Sequence, residues 1–224
     1  MNRQIIGMVG FAGSGKDTVA SHIVDNYRFS RISFAKALKD VLSSMFGWDR
    51  ELLEGTTKES REWRDIPDTW WENKLDWSRH PMSSHSERFT PRVALQLIGT
   101  QTIRGSFCDG IWTYRVEHYI NHTKGDIIIT DCRFKNELDM VRNMGGTIIR
   151  VKRGPDPEWY DIACDANNPS SPTHGKSLAA MMKSKIHISE WDWAGYDFDI
   201  TIENNGTLGQ LVDRIDTEIM NDRP

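Results

Sequence analysis

One short stretch decides the fold: Gly10-Phe11-Ala12-Gly13-Ser14-Gly15-Lys16-Asp17-Thr18. It directly follows the apolar run Ile5–Val9, and such a run is typical of a central strand in a parallel sheet, buried on both faces. A strand that leads through a glycine-rich turn into a helix aims backbone N–H groups and the positive end of the helix dipole at one point. The stretch matches G-x-x-x-x-G-K completely. We therefore predict a polyphosphate cradle in which Lys16 reaches the β- and γ-phosphates.

The residue after the lysine departs from the commonest form of this motif. Asp17 stands where a Ser or Thr usually holds magnesium, and the hydroxyl group is displaced to Thr18. This arrangement favours a small-molecule kinase over a motor ATPase or a GTPase. Asp17 either orients magnesium-bound water or contacts the acceptor, or it complements the helix dipole. We expect ATP to be bound by the loop and the helix start: Ala12, Gly13, Ser14, Gly15, Lys16, Asp17 and Thr18.

The composition excludes several classes of protein. The chain has 224 residues, of which 38% are hydrophobic and 27% charged, and its net charge is −4. This length suits one core with sizeable excursions, and the charge gives no overall attraction to nucleic acid or to a membrane. No apolar run approaches the roughly 20 residues of a membrane helix, and no signal-peptide pattern is present, so we expect a cytoplasmic protein. The widely spaced Cys108, Cys132 and Cys164 predict free thiols.

Apolar and amphipathic segments alternate along most of the chain. Besides the first strand, we predict strands at residues 31–34, 126–130, 147–151 and 198–203. Between them we predict helices at 18–27, 35–46, from 90 onward, at 109–122, at 134–144 and from 207 onward. The alternation predicts an α/β fold of the P-loop NTPase type, with three layers and a five-stranded parallel sheet.

Two segments interrupt the alternation. Residues 48–89 contain five of the nine tryptophans, and we interpret them as an excursion from the core. The cations of this segment, Arg61 among them, and its aromatic rings suit a nucleotide acceptor, but the tryptophans are equally expected to attach the segment to the body. Residues 156–193 are loop-like, with a short helix predicted over 176–185. They have the length and position of a lid that closes over ATP, or of an ordinary mobile loop.

Charged side chains follow the predicted strands. Lys39 lies beyond the second strand, where α/β sheets bind their ligands, or on a solvated helix face. Arg92 and Gln96 are one helical turn apart on one face, which suits a reader of an anion and a base edge. Asp131 ends the strand at 126–130, a position from which an acid contacts magnesium directly or through water. Asp131 and Arg133 alternatively pair with each other or bind the acceptor.

Six short strings occur in order along the chain and carry a resemblance to a known family. They are Phe34-Ala35-x-x-Leu38-Lys39, Arg92-x-x-x-Gln96-x-x-Gly99-Thr100, Asp131-x-Arg133-Phe134-x-Asn136-Glu137, Arg153-Gly154-Pro155, His187-x-Ser189-Glu190 and Asn204-Asn205-Gly206-Thr207-Leu208. Together with the phosphate loop, they resemble the bacteriophage deoxynucleoside monophosphate kinases, within the P-loop nucleoside monophosphate kinases. The resemblance runs from Ile5 to Leu211 and thins in the tryptophan-rich segment and the lid centre.

The resemblance implies one kinase domain with three parts. The core comprises residues 1–47, 90–154 and 196–224, an acceptor-binding flap spans about 48–89, and a lid spans about 155–195. Arg153 is implied to contact ATP, and Lys16, Asp131 and Arg133 are the expected catalytic residues. Together with Gln96, chosen from its spacing, the residues expected around the deoxynucleotide are Lys39, Arg61, Arg92, Gly99, Thr100, Trp112, Asp131, Arg133 and Glu137. The string from His187 to Glu190 is expected to hold the lid or to touch ligand.

The implied reaction converts ATP and a deoxynucleoside monophosphate (dNMP) into ADP and the diphosphate, for phage DNA precursors. The acceptor phosphate is already largely ionised at neutral pH, with a second pKa of about 6, so the reaction needs no general base. Positioning and charge stabilisation by the loop, Lys16, Mg²⁺ and converging arginines then carry the chemistry. We expect Mg²⁺ near Asp17, Thr18 and Asp131, directly or through water.

Two alternatives stay open. One is a P-loop kinase for another small phosphoryl acceptor, and the other is an ATP-binding switch or ATPase that phosphorylates nothing. A nucleic-acid motor should show an Asp-Glu pair at the end of the third strand, where this chain has Asp131-Cys132. For partners, the resemblance implies a homodimer without stable nucleic-acid binding, located in the host cytoplasm if the protein is phage-encoded.

Overall fold

The computed structural model describes residues 3–80 and 88–221. In it the chain forms two compact units, one made of residues 3–33 and 116–221 and the other of residues 34–80 and 88–115. The division into core, flap and lid stays a prediction. The helices, in chain order, are α1 Lys16–Tyr27, α2 Ala35–Phe46, α3 Lys58–Trp63, α4 Thr69–Lys74, α5 Pro91–Gln96, α6 Ile111–His122, α7 Lys135–Asn143, α8 Tyr160–Asn167, α9 His174–Lys183 and α10 Leu208–Arg214. Wider, π-type turns continue α5 over Leu97–Phe107 and α10 over Ile215–Ile219.

The first unit contains a five-stranded parallel sheet in the order β2-β3-β1-β4-β5. Its strands are β1 Ile5–Val9, β2 Ser30–Ile32, β3 Ile127–Ile129, β4 Thr147–Lys152 and β5 Ile200–Glu203. The predicted fold class is therefore confirmed. Because β1 is the central strand, the loop that follows it lies at the middle of the sheet's carboxyl edge.

The side chains of β1 alternate between two helical layers. Ile6 and Met8 belong to a buried cluster with Val19 and Ile23 of α1 and Leu211 of α10. Gly7 faces α7, where an added Cβ would lie 3.0 Å from a methyl group of Val141. The side-chain period of two in a strand thus places one helical layer on each face. Burial of apolar surface on both faces is what holds the three layers together.

The lid segment is more regular than its composition indicates, and the expectation of a loop over 156–193 was wrong. Two helices, α8 and α9, make up nearly half of it, and α9 begins at His174 rather than Lys176. Asp165 of α8 stabilises the connection between the two helices, because its carboxylate accepts hydrogen bonds from Ser171 Oγ at 3.0 Å and Thr173 Oγ1 at 2.7 Å. The Asn- and Pro-rich run therefore marks a turn between two helices.

Several predicted boundaries shift by one to three residues. The second strand was expected at 31–34 and lies at Ser30–Ile32, and the fifth was expected at 198–203 and begins at Ile200. Before β5, the carboxylate of Asp199 accepts from the Ile148 N–H at 2.7 Å. The side chain of Asp199 therefore accepts a hydrogen bond that a backbone carbonyl would accept in regular strand pairing. Element ends fray in this way because caps and side chains compete with ladder bonds.

The second unit builds a small aromatic core from the tryptophan-rich segment. Helix α3 is capped by Thr57 and α4 by Asp68, so the segment carries regular structure that its sequence periodicity did not predict. Phe46 and Trp48 stack with ring centroids 4.4 Å apart, and Trp71 Nε1 donates to Phe46 O at 3.0 Å. These rings attach the segment to the end of α2. Residues 81–87 of the predicted flap lie outside the described residues.

The membrane expectation has a direct counterpart in the helices. Among residues 3–80 and 88–221, none of the helices combines the length and the hydropathy required to cross a bilayer.

Candidate active site

The loop after β1 has three glycines with positive φ, a backbone conformation that other residues rarely adopt. Gly10 has φ +146°, and a Cβ there would lie 2.3 Å from Val151 O. Gly15 has φ +102° and forms the N-cap of α1, with no side chain capping the helix. The first N–H groups of α1 consequently lack a protein side-chain cap. A helix start of this kind favours an anion.

Asn204 holds this loop from the far side, and sequence reasoning did not assign it to the site. Its Nδ2 donates to Ser14 O at 2.9 Å, and an added Cβ on Gly15 would lie 2.3 Å from the same nitrogen. Asn204 directly follows β5, and its own N–H donates to Lys152 O at 2.7 Å. The string Asn204-Asn205-Gly206 was visible in the sequence. Its contact with the loop depends on strand order.

Lys16 lies folded over the loop. Its Nζ donates to Gly10 O at 2.7 Å and to Phe11 O at 2.9 Å. Burial, and secondarily the positive charge of Arg133, lower the pKa of Lys16 to about 8, against the opposing effect of Asp17, Glu190 and Asp131. The lysine is thus still mostly protonated at pH 7. Its ammonium group donates hydrogen bonds to these carbonyl oxygens, and the oxygens of a phosphate group can replace them as acceptors.

The other loop residues divide into exposed and buried groups. Ala12, Gly13 and Thr18 are exposed, as a ligand contact requires. Ser14 is 2% exposed, and its Oγ has no hydrogen-bond partner within the described part of the chain. Asp17 is exposed in the first turn of α1 and contacts the guanidinium of Arg31. This ion pair was not anticipated, and it adds to the three open roles of Asp17.

The edge beyond β3 brings two of the predicted catalytic residues close to Lys16. Asp131 and Arg133 both act electrostatically on Lys16, with opposite signs. Arg133 Nη1 lies 2.5 Å from Glu190 Oε1, and 49% of the arginine side chain is exposed. Glu137, expected near the deoxynucleotide, is 3% exposed, and its Oε2 accepts from the N–H groups of Arg133 at 2.7 Å and Phe134 at 3.1 Å. Its observed contacts are those of a helix cap, and its ligand role stays a prediction.

The remaining predicted ATP residue of this unit is Arg153, which is exposed beyond β4. The turn that follows it is held by Asn205, whose Oδ1 accepts from the Gly154 N–H at 2.6 Å.

The cysteines have no direct place in the site. Cys132, which lies between Asp131 and Arg133, is buried, and burial raises the pKa of its thiol well above the usual range. All three cysteines are free, as predicted.

In the second unit, Lys39 is paired rather than solvated. The residue is 8% exposed, and its Nζ lies 2.6 Å from Glu54 Oε2. Arg50 contacts the same carboxylate, with Nη1 2.5 Å from Glu54 Oε1. It also contacts Asp40, with Nε 2.5 Å from Oδ1. Burial alone would raise the pKa of Glu54, but hydrogen bonds and charge from Lys39 and Arg50 outweigh it and lower that pKa. Glu54 was not predicted, because its partner is 15 residues away in the chain.

The two predicted arginines of this unit are also held by oxygen atoms. Arg92 makes a two-pronged contact with Asp65, with Nη2 2.9 Å from Oδ2, and this hydrogen bonding lowers the pKa of the Asp65 carboxyl group. Arg61 is exposed and donates to Thr56 O at 2.9 Å. The backbone near Arg92 is fixed as well, since its N–H donates to Arg64 O at 2.9 Å.

The last predicted group surrounds the continuation of α5. Trp112 is buried, and its Nε1 donates to Gly99 O at 3.0 Å. Gly99 itself packs against Leu38, which an added Cβ would approach to 2.4 Å. These contacts give both residues a packing function. Gln96 and Thr100 are half-buried, and the ligand contacts expected of all four stay predictions.

The structure therefore gathers the predicted residues into one set per unit. In the first unit, the loop, Lys16, Asp131 and Arg133 share one edge of the sheet. In the second unit, Lys39, Arg61 and Arg92 are each held by a carboxylate or carbonyl oxygen. The residues to which sequence reasoning gave no place in the site are Asn204, Glu54 and Asp65, and the partner of Glu190 was also not predicted. A single sequence gives no signal for such pairs when the partners are distant along the chain.

The oxygen donors near the loop fit a magnesium ion. Asp17 and Thr18 lie in the first turn of α1, and Asp131 follows β3. Among residues 3–80 and 88–221, no cluster of three or more His, Cys, Asp or Glu side chains could hold a metal by itself. Magnesium does not require such a cluster, because it uses one or two carboxylates, water and substrate phosphates. The donor set is of that open kind.

Fold and site together define a class. A parallel α/β sheet whose central strand leads through a complete G-x-x-x-x-G-K loop into α1 is a P-loop nucleotide-binding domain. A gluconokinase from Sinorhizobium meliloti 1021 is 10% identical over 98% of this chain and 94% of that chain, with a TM-score of 0.42. We draw nothing from a likeness of that degree.

Comparisons of sequence identify the family. A family model described as deoxynucleotide monophosphate kinase matches residues 72–162. The deoxynucleoside-5'-monophosphate kinase of Escherichia phage T5 is 31% identical over 178 residues, which cover 62% of this chain and 71% of that protein. A putative deoxynucleotide monophosphate kinase of Acanthamoeba polyphaga mimivirus is 29% identical over 179 residues, covering 74% of this chain and 79% of that protein. The chain belongs to the deoxynucleotide monophosphate kinase family.

Proposed function

We propose that this protein transfers the γ-phosphate of ATP to a dNMP, giving ADP and the deoxynucleoside diphosphate. The observation that carries the proposal is the arrangement at the sheet edge. A complete phosphate loop is present, and the half-buried Lys16 and the exposed Arg133 lie close enough for the two cations to act on each other. Family membership supports the choice of acceptor.

The chemistry follows from where the charges are. Two anions must be brought together and the transferred phosphoryl group stabilised, and neither step needs a proton acceptor from the protein. The backbone N–H groups of the loop and the ammonium of Lys16 bind the phosphates of ATP. Arg133 offers further N–H donors to the oxygens of the transferred group. Fixed dipoles and charges of this kind cost no reorganisation during the reaction.

Magnesium would be held on the same edge. Asp17, Thr18 and Asp131 are the residues that would hold it, directly or through water. When bound, the ion neutralises charge on the β- and γ-phosphate oxygens. The exposure of Asp17 and Thr18 supports this assignment, because Mg²⁺ keeps several of its water molecules.

Residues of the second unit would bind the acceptor. Support comes from the three cations Lys39, Arg61 and Arg92, each fixed by an oxygen partner before any ligand arrives. A guanidinium whose position is already fixed loses little side-chain entropy when it meets a phosphate. Such cations suit a phosphate monoester.

The test is an acceptor panel. ADP release from ATP and Mg²⁺ should depend on addition of dAMP, dGMP, dCMP or dTMP, and the diphosphate product should appear in equal amount. Matching ribonucleotides, dephospho-coenzyme A and a sugar acid serve as controls for acceptor class. ATP turnover that DNA stimulates without any phosphorylated acceptor would contradict the proposal.

A further inference from the structure

A carboxylate lies directly on the arginine proposed for catalysis. Glu190 Oε1 is 2.5 Å from Arg133 Nη1, and 35% of the glutamate side chain is exposed. Both charges act on Lys16, the arginine lowering its pKa and the glutamate raising it. A carboxylate at the rim of a polyphosphate site repels the ligand, so its presence requires an explanation. Its contact with a cation of the site provides one.

The turn that carries Glu190 is built to hold this side chain still. It is a single 3₁₀ turn over Ile188–Glu190, and His187 caps it, since Nδ1 accepts from the Ser189 N–H at 3.2 Å and lies 2.8 Å from Ser189 Oγ. Ser189 is 7% exposed. Burial lowers the pKa of His187, which keeps Nδ1 free to accept. The Glu190 N–H donates to His187 O at 2.9 Å, which closes the turn.

The segment around this turn is tied down on both sides. Asp192 Oδ2 accepts from the Lys135 N–H at 2.7 Å, at the start of α7. Asn167 Nδ2, at the end of α8, lies 2.8 Å from Trp191 O and 2.9 Å from Ala194 O. Glu190 is therefore carried by a backbone that is hydrogen-bonded both to the end of α8 and to the start of α7. A rigid carrier is what a positioning contact needs.

The chemistry of the pair favours positioning over ligand binding. A guanidinium has five N–H donors in a planar fork, and Glu190 contacts it at one nitrogen. An ion pair half open to water adds little to stability, because solvent screens it. Fixing one edge of the fork does, however, determine where the other donors point. The carboxylate thereby restricts the rotamers of an otherwise exposed arginine.

We infer that Glu190 is a positioning residue that holds Arg133 in the orientation required for phosphoryl transfer. The inference rests on the proposed function for its kinetic consequence, and on the observed contact for its structural one. It gives the string His187-x-Ser189-Glu190 a role: His187 and Ser189 shape the turn, and Glu190 acts through Arg133.

The kinetic test compares Glu190→Gln with Glu117→Gln in the full chain. Both variants replace a carboxylate by an amide of the same shape, but Glu117 is exposed on α6, and only the first variant changes the contact with Arg133. We expect Glu190→Gln to lower kcat by about 10- to 100-fold, the scale on which misplacement of a reacting group is felt. KM for ATP should change by less than about threefold, because ground-state binding is left to the loop. Glu117→Gln should match the wild-type protein.

A double-mutant cycle separates action through Arg133 from any other effect. In an Arg133→Gln background, Glu190→Gln should change kcat by less than about twofold, because the partner is already absent. A full loss in that background would overturn the inference. A rise in kcat or a tighter KM for ATP in Glu190→Gln would also overturn it, since the carboxylate would then merely compete with phosphate.

A second readout does not depend on turnover. The Nε–Hε resonance of Arg133, assigned with Arg133→Lys, should show an ordered side chain in the wild-type protein and a mobile one in Glu190→Gln. Equal mobility in both proteins would contradict the positioning role. If the wild-type protein phosphorylates no dNMP, the proposed function fails, and this measurement still decides whether Glu190 orders Arg133.

Discussion

At the scale of single residues, the site depends on side chains that act in pairs. Lys16 binds loop carbonyls, Arg133 is held by Glu190, and Lys39 is held by Glu54. These three cations, all expected to meet phosphate, therefore each have an oxygen partner within the protein. Exchange of that partner for phosphate costs less than desolvating a hydrated ammonium or guanidinium group.

Replacement of Lys16 tests the central cation. Lys16→Ala should leave the fold intact, because the side chain contacts only two loop carbonyls, and should abolish phosphoryl transfer. Circular dichroism and a coupled ADP-release assay measure the two effects. Retention of more than about 5% of wild-type turnover would contradict a role in which this charge stabilises the transferred group.

Replacement of loop glycines separates backbone strain from steric conflict. Gly13 and Gly15 both have positive φ, but a Cβ meets nothing within 4 Å at Gly13 and meets Asn204 Nδ2 at 2.3 Å at Gly15. Gly13→Ala should cost about 1–2 kcal/mol of unfolding free energy, the price of a left-handed backbone. Gly15→Ala should cost more and raise KM for ATP. Urea denaturation and steady-state kinetics measure both.

Asn204→Ala supplies the control for the glycine pair. In that background, the cost of Gly15→Ala should fall while that of Gly13→Ala stays the same, because the conflicting nitrogen is gone. If Asn204→Ala leaves the cost of Gly15→Ala unchanged, the conflict with Asn204 is not the cause.

At the scale of elements, the phosphate loop contacts the start of α8 through one aromatic ring. Phe11 lies in the loop, and its ring centroid is 5.5 Å from that of Trp159, 6.0 Å from Tyr160 and 4.8 Å from Trp193. The last two are buried, and the guanidinium of Arg150 lies 4.6 Å from the ring centroid of Tyr160. Aromatic contacts of this geometry contribute about 0.5–1.5 kcal/mol each beyond buried area.

Removal of the Phe11 ring should increase local opening of α8. Phe11→Ala should speed amide hydrogen exchange over α8, because Trp159 and Tyr160 at its start lose their partner, while exchange in β3 should stay unchanged. Hydrogen exchange read by mass spectrometry measures both. Tyr114→Ala, at an exposed ring of the second unit, is the matched aromatic control. Unaltered exchange in α8 would show that the ring contacts do not order the helix.

At the scale of the whole molecule, the contacts of individual carboxylates predict how folding stability depends on pH. The net charge of −4 is small, so no strong self-repulsion opposes folding near neutral pH. Specific carboxylates then decide the acid limb of stability. Asp199 is one, because its two oxygens join Arg142, at 2.9 Å, to the Ile148 N–H, at 2.7 Å.

The loss of folding stability at acid pH should change when Asp199 is replaced by an uncharged residue. Burial alone would raise the pKa of Asp199, but the Ile148 N–H and Arg142 outweigh it, so the folded-state pKa lies below the ordinary 3.8. A depressed carboxyl pKa stabilises the fold above pH 3.8 and loses that contribution as the pH falls through and below that value. Asp199→Asn should therefore be less stable than wild type at pH 6, and the difference should narrow below about pH 4.

Urea denaturation between pH 3 and pH 7 measures this difference without screening the charges. Asp197→Asn, an exposed neighbour on the same loop, is the control and should keep the wild-type pH dependence. A constant difference at all pH values would mean that Asp199 contributes through packing alone.

The sequence by itself determined the sheet and the phosphate loop. Strand periodicity, glycine spacing and Lys16 are local signals, and β1, the parallel topology and the cradle follow from them without knowledge of distant residues. The predicted starts of α5 at residue 90 and of the last helix at residue 207 are local as well, since Thr90 and Thr207 cap these helices. Such features depend on residues within one or two turns of each other.

The tertiary structure alone decided which residues hold the site together. Asn204 supports the loop from 190 residues away, Glu190 meets Arg133 across 57, and Glu54 meets Lys39 across 15. Helix α8 likewise became recognisable only in the structure, whereas α9 was predicted from the sequence with its start two residues late. The physical reason is that a carboxylate or amide has many equally plausible partners along a chain. Only the packing of the sheet and its helices places one of them within hydrogen-bonding distance.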